Sequence, residues 1–396
     1  MFFSFKVDKT SREDAARTGT LITSHGSVPT PVFAPVGSQG TVKSLGPDDL
    51  HSLDLPLILC NTYHLYLRPG MDVIGKFGGI HSFMGWDRAI LTDSGGYQLF
   101  SLAHLVKVSE EGVTFRSHID GSEHFFTPEK AMEVQEALGA DIIMNFDQPP
   151  VFGCSFREAQ EATERTHRWA KRCRESHFDG GQALFGIVQG GLFPELRRES
   201  AKMIVDTGFA GYAVGGLSLG EGKEITYEMA RESVSCLPGE SPRYLMGVGA
   251  PEDLLEAIGM GIDMFDSALP TRLGRNGSLF SSKGRINIRN SRFKYEENAI
   301  EPGCNCYTCS SFSLAYLHHL FKCEELLAYR LATIHNLRFL ADFMAAVRTS
   351  IALGRFSSFK RDFLSGYKIT DQEARVAQKK KWLARDIKGK EQTGQV

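Results

Sequence analysis

Three aspartates stand where short apolar runs give way to polar motifs: Asp93 in LTDSGGYQ, Asp147 in MNFDQPP and Asp266 in MFDSALPTR. A close pair of carboxylates can divide the work of glycosyl transfer. One attacks an anomeric carbon while the other moves a proton on or off the leaving group. A lone aspartate in such a place more often caps a helix or binds a loop amide, so the inference rests on the set. Ser94-Gly95-Gly96 follows Asp93, and its glycines leave space for a ligand and let backbone N–H groups approach it. Tyr97 offers a flat ring for stacking. Gln189-Gly190-Gly191 pairs an amide with a permissive turn, and Gly215-Gly216-Leu217 adds exposed backbone. Together they describe a slot for a flat ligand with many hydrogen-bonding atoms, such as a purine.

Beyond Asp266 the chain turns basic, with Arg272, Arg275, Lys283, Arg285, Arg289, Arg292 and Lys294 close together. Arginine suits phosphate because its planar fork binds two oxygens at once. The whole chain carries a formal charge of −2, so any RNA contact must come from this local patch and not from a global field. Cys304, Cys306 and Cys309 place three thiols at a spacing that can converge on one tetrahedral ion, with zinc the best fit to such ligands. The candidates for a fourth ligand are His318, His319, Cys323 and His335, and spacing does not choose among them. Four protein ligands would close the site and make it structural. Cys60, Cys154, Cys173 and Cys236 are scattered, as expected of reduced thiols in a cytosolic protein.

Something must bring these motifs together. Apolar runs at 31–36, 56–60, 89–92, 141–147, 184–189, 212–215, 244–248 and 262–266 read as strands, most of them ending at one of the motifs. Helical patterns at 128–138, 156–177, 194–206, 224–236 and 251–260 lie between them, the first opening on a Thr-Pro start signal. Eight strand–motif–helix units imply an α/β fold, a (β/α)8 TIM barrel with its polar motifs at the C-terminal rim. After about Ser282 this rhythm stops, and the chain reads as an excursion leading to the cysteine knuckle, the place expected for an inserted zinc-binding subdomain near the C-terminus. The expected divisions are the main barrel over 1–290, the zinc region over 291–350, C-terminal helices packing on the barrel over 351–386 and a disordered tail over 387–396. Helices are expected at 314–331, 334–353 and 369–385, the last carrying the basic run Gln378 to Trp382 as a solvated face. With no apolar run near membrane length and no signal-peptide pattern, the chain is expected to be soluble and cytoplasmic.

The motifs LTDSGGYQ, FGIVQGG, YAVGGLSLGE, YLMGVG, DMFDSALPTR, GRNG and CNCYTC, then TIHNL, resemble those of the tRNA-guanine transglycosylases, in the same order. The resemblance implies exchange of guanine at the wobble position of tRNAs with a GUN anticodon for a 7-deazaguanine base, by a ping-pong course in queuosine biosynthesis. It implies that Asp266 is the nucleophile and Asp93 the general acid/base. Ser94, Asp147, Gln189 and the Gly216 backbone would bind the base, between walls made by Tyr97 and Met246. Leu217 and Glu221 would form the peptide region that adapts to the 7-substituent, and Arg272 and Arg275 would contact the anticodon stem-loop. Cys304, Cys306, Cys309 and His335 would hold one structural Zn2+ per chain, and the enzyme would be a homodimer. Three positions depart from the family pattern: FDQPP after Asp147, Ser267 where cysteine is common, and Leu219 in the pocket loop. A bulky Leu219 favours the small 7-aminomethyl-7-deazaguanine (prequeuosine base) over queuine. Three rival readings are a retaining glycoside hydrolase, which leaves the cysteine knuckle and the arginines unexplained, a non-catalytic tRNA-binding subunit, which would have no need of the paired carboxylates, and an archaeal-type enzyme acting in the tRNA D-arm, for whose extra C-terminal RNA-binding domain no room is expected.

Overall fold

The structure, a computed structural model, describes residues 3–178 and 180–369. All eight expected strands form: β1 (Val32–Pro35), β2 (Leu57–Cys60), β3 (Ala89–Thr92), β4 (Ile142–Met144), β5 (Ala183–Val188), β6 (Gly211–Val214), β7 (Arg243–Leu245) and β8 (Met264–Ser267). They pair in parallel, each beside its successor in the chain, and β8 returns to β1 through registers such as Phe265 with Phe33. A parallel bridge between Val36 and Leu59, with the Gly37 N–H 2.6 Å from the Leu59 carbonyl, closes the ring between β1 and β2.

Period-two alternation divides the barrel strands between two cores. Val32, Ala34, Leu57, Leu59, Ala89, Leu91, Ile142, Met144, Phe185, Ile187, Ala213, Tyr244 and Met264 fill the interior. Phe33, Ile58, Cys60, Ile90, Ile143, Leu184, Val214, Leu245 and Phe265 face outward into the helix layer. Continuing the inward phase to the strand ends and just past them gives Asn61, Asp93, Gln189, Gly215, Met246 and Asp266. In β4 the alternation slips. Met144 faces in, yet Phe146 faces out and stacks on Trp169 at 4.9 Å, so Asp147 takes an inward place.

The helices follow their sequence signals. Pro128–Leu138 starts on Thr127, whose hydroxyl accepts the Lys130 N–H at 3.1 Å, and ends at Gly139 with φ 73°. Phe156–Ser176 opens on a capping box between Ser155 and Glu158. The helix expected over 314–331 is broken, however. Leu314–Lys322 stops, Glu324 takes φ 56°, and a new helix, Leu326–Ala352, runs through the position expected to separate two helices. A left-handed residue ends the first helix, a break that apolar spacing does not show. Leu326–Ala352 packs beside β1 and on the short helix Leu269–Arg275 after β8. It is therefore the barrel's eighth outer helix, reached through the insertion. Arg330 pairs with Asp49 at 2.6 Å, and the Arg348 guanidinium donates to the Pro31 carbonyl at 2.8 Å.

Three antiparallel units are additional to the expected elements. Ser4–Thr10, Arg17–Thr23 and Gly26–Thr30 form a sheet whose Leu21 and Val28 plug the N-terminal end of the barrel. It is pinned there by a bidentate Arg17–Asp263 pair and by His25, which stacks on His81 at 3.6 Å while both rings face Asp141. His104–Val108, Val113–Arg116 and Glu123–Phe126 make a second sheet between β3 and β4, and Ser278–Ser281 pairs with Gly284–Asn287 in a hairpin. Such short, mixed-polarity strands owe their form to their pairing partners more than to their own residues. Among the described residues no helix is long and apolar enough to cross a membrane. The expected helix beyond residue 369, its basic run and the tail over 387–396 lie outside the described residues.

Candidate active site

Asp93 and Asp266 lie one residue past β3 and near the end of β8, so both project inward at the C-terminal mouth. Asp93 is buried, and three donors meet its carboxylate: the Thr62 N–H at 2.9 Å, Asn61 Nδ2 at 2.5 Å and Gln98 Nε2 at 2.6 Å. Burial pushes its pKa up, those hydrogen bonds pull it back, and the like charge of Asp266 raises it further, to about 6. Asp266 is thus near enough for its charge to act on Asp93.

Asp266 is served differently. Its Oδ1 accepts from the Tyr244 hydroxyl at 2.5 Å and from the Gly247 N–H at 2.8 Å. No hydrogen bond from the described residues reaches its Oδ2. Burial raises its pKa above the usual carboxylate range, against the pull of Tyr244 and Gly247. Burial and the neighbouring acid push the Tyr244 hydroxyl well above its ordinary value, so it remains a donor.

The residues expected to form a flat slot gather next to Asp93, through Ser94. Asp147 Oδ1 accepts from Ser94 Oγ at 2.6 Å and its Oδ2 from Gln189 Nε2 at 2.7 Å. Burial raises the Asp147 pKa, and both bonds oppose the rise. Gly96 is required here because a Cβ would stand 2.5 Å from the Asp147 carbonyl oxygen and 2.8 Å from its Oδ1. The bond to Asp147 fixes the Gln189 amide and leaves its Oε1 buried without a partner; Gln98 Oε1 is left in the same way. Gly216 has φ 69°, and a Cβ there would meet Gln189 Oε1 at 2.3 Å, so only glycine fits. Tyr97 is exposed, on the first turn of Gly96–Leu102, while Met246 is half-buried at the end of β7 against the interior core. The Leu217 side chain is buried in the outer core. Glu221 gathers the next loop: it accepts the N–H groups of Ser218, Leu219 at 2.9 Å and Gly220 at 3.0 Å, and the Thr226 hydroxyl at 2.8 Å. Burial alone would raise its pKa, but these donors hold it below the ordinary value.

Arg272 and Arg275 sit on Leu269–Arg275, directly after Asp266. Arg272 is exposed, and Arg275 is half-buried with its Nη1 lacking a partner. Burial and the charge of Arg272 lower the Arg275 pKa.

The cysteine cluster is a separate centre. Cys304, Cys306 and Cys309 place their sulfurs 3.9, 3.9 and 3.3 Å from His335 Nδ1, and these four residues could hold a metal ion. Tetrahedral zinc with bonds of about 2.3 Å to sulfur and 2.0–2.1 Å to nitrogen sets S···N near 3.6 Å, which these distances bracket. His335 Nε2 donates to the Phe280 carbonyl at 2.8 Å, which leaves Nδ1 as the ligand atom. Of the other candidates for a fourth ligand, His318 is engaged with the Ile288 carbonyl at 2.7 Å, while His319 and Cys323 face each other elsewhere.

Several residues of the mouth were not singled out by sequence reasoning. Asn61, Thr62 and Gln98 hold Asp93, Tyr244 and Gly247 hold Asp266, and Arg197 and Ser200 lie beneath the Gln189 loop. Asn61 and Tyr244 share the inward strand phase with the acids, which is the signal that could have found them. Arg197 sits in a charged helical stretch and gave no such signal.

The family profile described as "Queuine tRNA-ribosyltransferase" matches residues 12–369 of the chain. A protein of that name from Dehalococcoides mccartyi is 58% identical over 380 residues, covering 96% of this chain and 97% of that protein. One from Pelotomaculum thermopropionicum is 53% identical over 367 residues, covering 93% and 99%, and one from Caldanaerobacter subterraneus subsp. tengcongensis is 52% identical over 364 residues, covering 92% and 97%.

Proposed function

The chain belongs to the queuine tRNA-ribosyltransferase family, and from that premise we propose that it exchanges guanine at the tRNA wobble position for 7-aminomethyl-7-deazaguanine through a covalent link to Asp266. The observation that carries this reading is the pair of inward carboxylates held in unlike environments. Asp266 keeps Oδ2 free of hydrogen bonds, so that oxygen attacks C1′ of the ribose as the bond from C1′ to guanine N9 breaks. Asp93, with a pKa of about 6, can give a proton to the departing guanine and take one from the incoming base. The incoming base loses its N9 proton and displaces Asp266. Two inversions keep the ribose configuration.

The target base must leave its stack to enter the slot. Asp147, Gln189 and the Gly216 backbone read its edge, between Tyr97 and Met246. Glu221 holds the Ser218 N–H, and the trans peptide turns the Leu217 carbonyl away from it. A carbonyl so turned is an acceptor suited to an aminomethyl ammonium, which supports an amine-bearing base over its nitrile precursor, while the bulk of Leu219 in the same loop supports the small base over queuine. Arg272 and Arg275 bind anticodon-loop phosphates. Cys304, Cys306, Cys309 and His335 would hold zinc, which would tie the cysteine knuckle to the helix Leu326–Ala352 that packs on the barrel.

The deciding experiment loads tRNA with labelled guanine and challenges it with prequeuosine base, its nitrile precursor or queuine. Label release by the aminomethyl base, and not by queuine, is the expected result. Release by queuine alone would overturn the base assignment.

A further inference from the structure

We propose that Arg197 is a positioning residue that sets the hydrogen-bonding polarity of the base-reading wall. Arg197 lies on the first turn of Pro194–Thr207 and is wholly buried. Among the described residues, all the hydrogen-bond partners of its guanidinium are backbone carbonyls. Nε donates to Gly191 at 2.8 Å, Nη1 to Gly215 at 2.7 Å and more weakly to Val188 at 3.4 Å, and Nη2 to Gly216 at 3.4 Å. Its fork therefore joins the loop after β5, which carries Gln189, to the loop after β6, which carries Gly216. One turn further along, Ser200 Oγ accepts the Gln189 N–H at 3.1 Å, so the same helix face holds Gln189 at a second point.

The consequence follows from peptide geometry. A trans peptide points its N–H opposite to its carbonyl. With the Gly215 and Gly216 carbonyls drawn to the guanidinium, the N–H groups of Gly216 and Leu217 face away from it. Among the described residues neither N–H has an acceptor, whereas the next three, at Ser218, Leu219 and Gly220, all go to Glu221. Two free donors thus stand beside the partnerless Oε1 of Gln189. Donors next to an acceptor match a purine-like edge that carries a carbonyl beside N–H groups. The glycines allow the approach, since a Cβ at Gly190 would lie 2.7 Å from Arg197 N. Burial pulls the guanidinium down to about 9, against the charge of Glu221, so it stays protonated at neutral pH.

This inference rests on the reading of Gln189 and Gly216 as base-binding groups. Its test compares wild type, Arg197→Lys and Arg197→Met in the exchange assay, with KM measured separately for the base and for tRNA, and with thermal unfolding alongside. A lysine keeps the charge but cannot span both loops. The base KM should rise roughly 10- to 100-fold in Arg197→Met, the range for hydrogen bonds to a charged group, and less in Arg197→Lys, with the tRNA KM unchanged. In a Gln189→Ala background the added loss should shrink, because both changes act on one wall. A purely structural arginine would lower the unfolding temperature and leave the base KM of the folded enzyme where it was. That outcome in Arg197→Lys would overturn the proposal, even if Arg197→Met fails to fold. Wild type that exchanges no deazaguanine base would instead remove the underlying reading.

Discussion

Tyr244 and Asp266, on neighbouring strands of the barrel, share a 2.5 Å hydrogen bond that occupies one carboxylate oxygen and leaves the other bare. Tyr244 is the last inward residue of β7 and Asp266 the next inward residue past Met264 in β8, so the contact is a product of barrel stagger. It makes the two oxygens of one carboxylate unequal before any substrate arrives.

Tyr244→Phe tests that relationship. Loss of the phenol leaves only the Gly247 N–H to support the ionised acid, so the Asp266 pKa rises further. Less of the nucleophile is then ionised at low pH, and the acid limb of kcat/KM should move to higher pH. At its plateau the rate should fall roughly 10- to 100-fold, the range for a hydrogen bond to a charged group. A pH–rate profile overlying that of wild type would remove Tyr244 from the mechanism.

Asp266→Asn should abolish guanine exchange while tRNA still binds, as read by label release and by gel shift. An amide is too weak a nucleophile to form the ribosyl link. Substantial exchange by this variant would take Asp266 out of its role.

The pH dependence of guanine release should report Asp93. In that half-reaction Asp93 gives up a proton, so the single-turnover rate falls as pH rises through about 6. Burial is the main cause of the raised value, and the Asn61 hydrogen bond favours the charged form. Asn61→Leu removes that support, so the pKa climbs and the decline shifts to higher pH. A shift in the opposite direction would contradict the assignment of the acid.

Purified protein should contain one tightly bound zinc per chain. Cys306→Ser should lose most of it, lower the unfolding temperature and reduce activity, because metal binding and local folding are linked. Elemental analysis and calorimetry on the same sample decide this. Metal-free protein with unaltered melting and full exchange would show that the site has no structural work to do.

Much of this architecture is local information. Most barrel strands are short apolar runs that end in a motif of their own, and some helix starts carry their own cap, as at Thr127-Pro128 and Ser155. Those features repeat in order along the chain, so the (β/α)8 fold and the three rim aspartates could be read directly. The cysteine knuckle is equally local, since Cys304, Cys306 and Cys309 fall within a few residues.

What was hidden is what depends on partners far along the chain. The N-terminal sheet, the sheet over 104–126 and the hairpin after β8 have weak intrinsic signals and are defined by pairing. Asn61 meets Asp93 across 32 residues, and His335 meets Cys304 across 31. Spacing alone left the fourth ligand open among four candidates, and the fold brings His335 to the three sulfurs, with Nε2 held by the Phe280 carbonyl and Nδ1 facing them. The slip in β4 that turns Asp147 inward, and the buried Arg197 that ties two glycine loops together, have no local signature either. The residues of this chain determine by themselves where strands begin and which chemical groups sit at their ends. Only the closed barrel decides which of those groups touch, because contact depends on stagger and long-range pairing, and a one-residue change of phase would aim each side chain at the opposite layer.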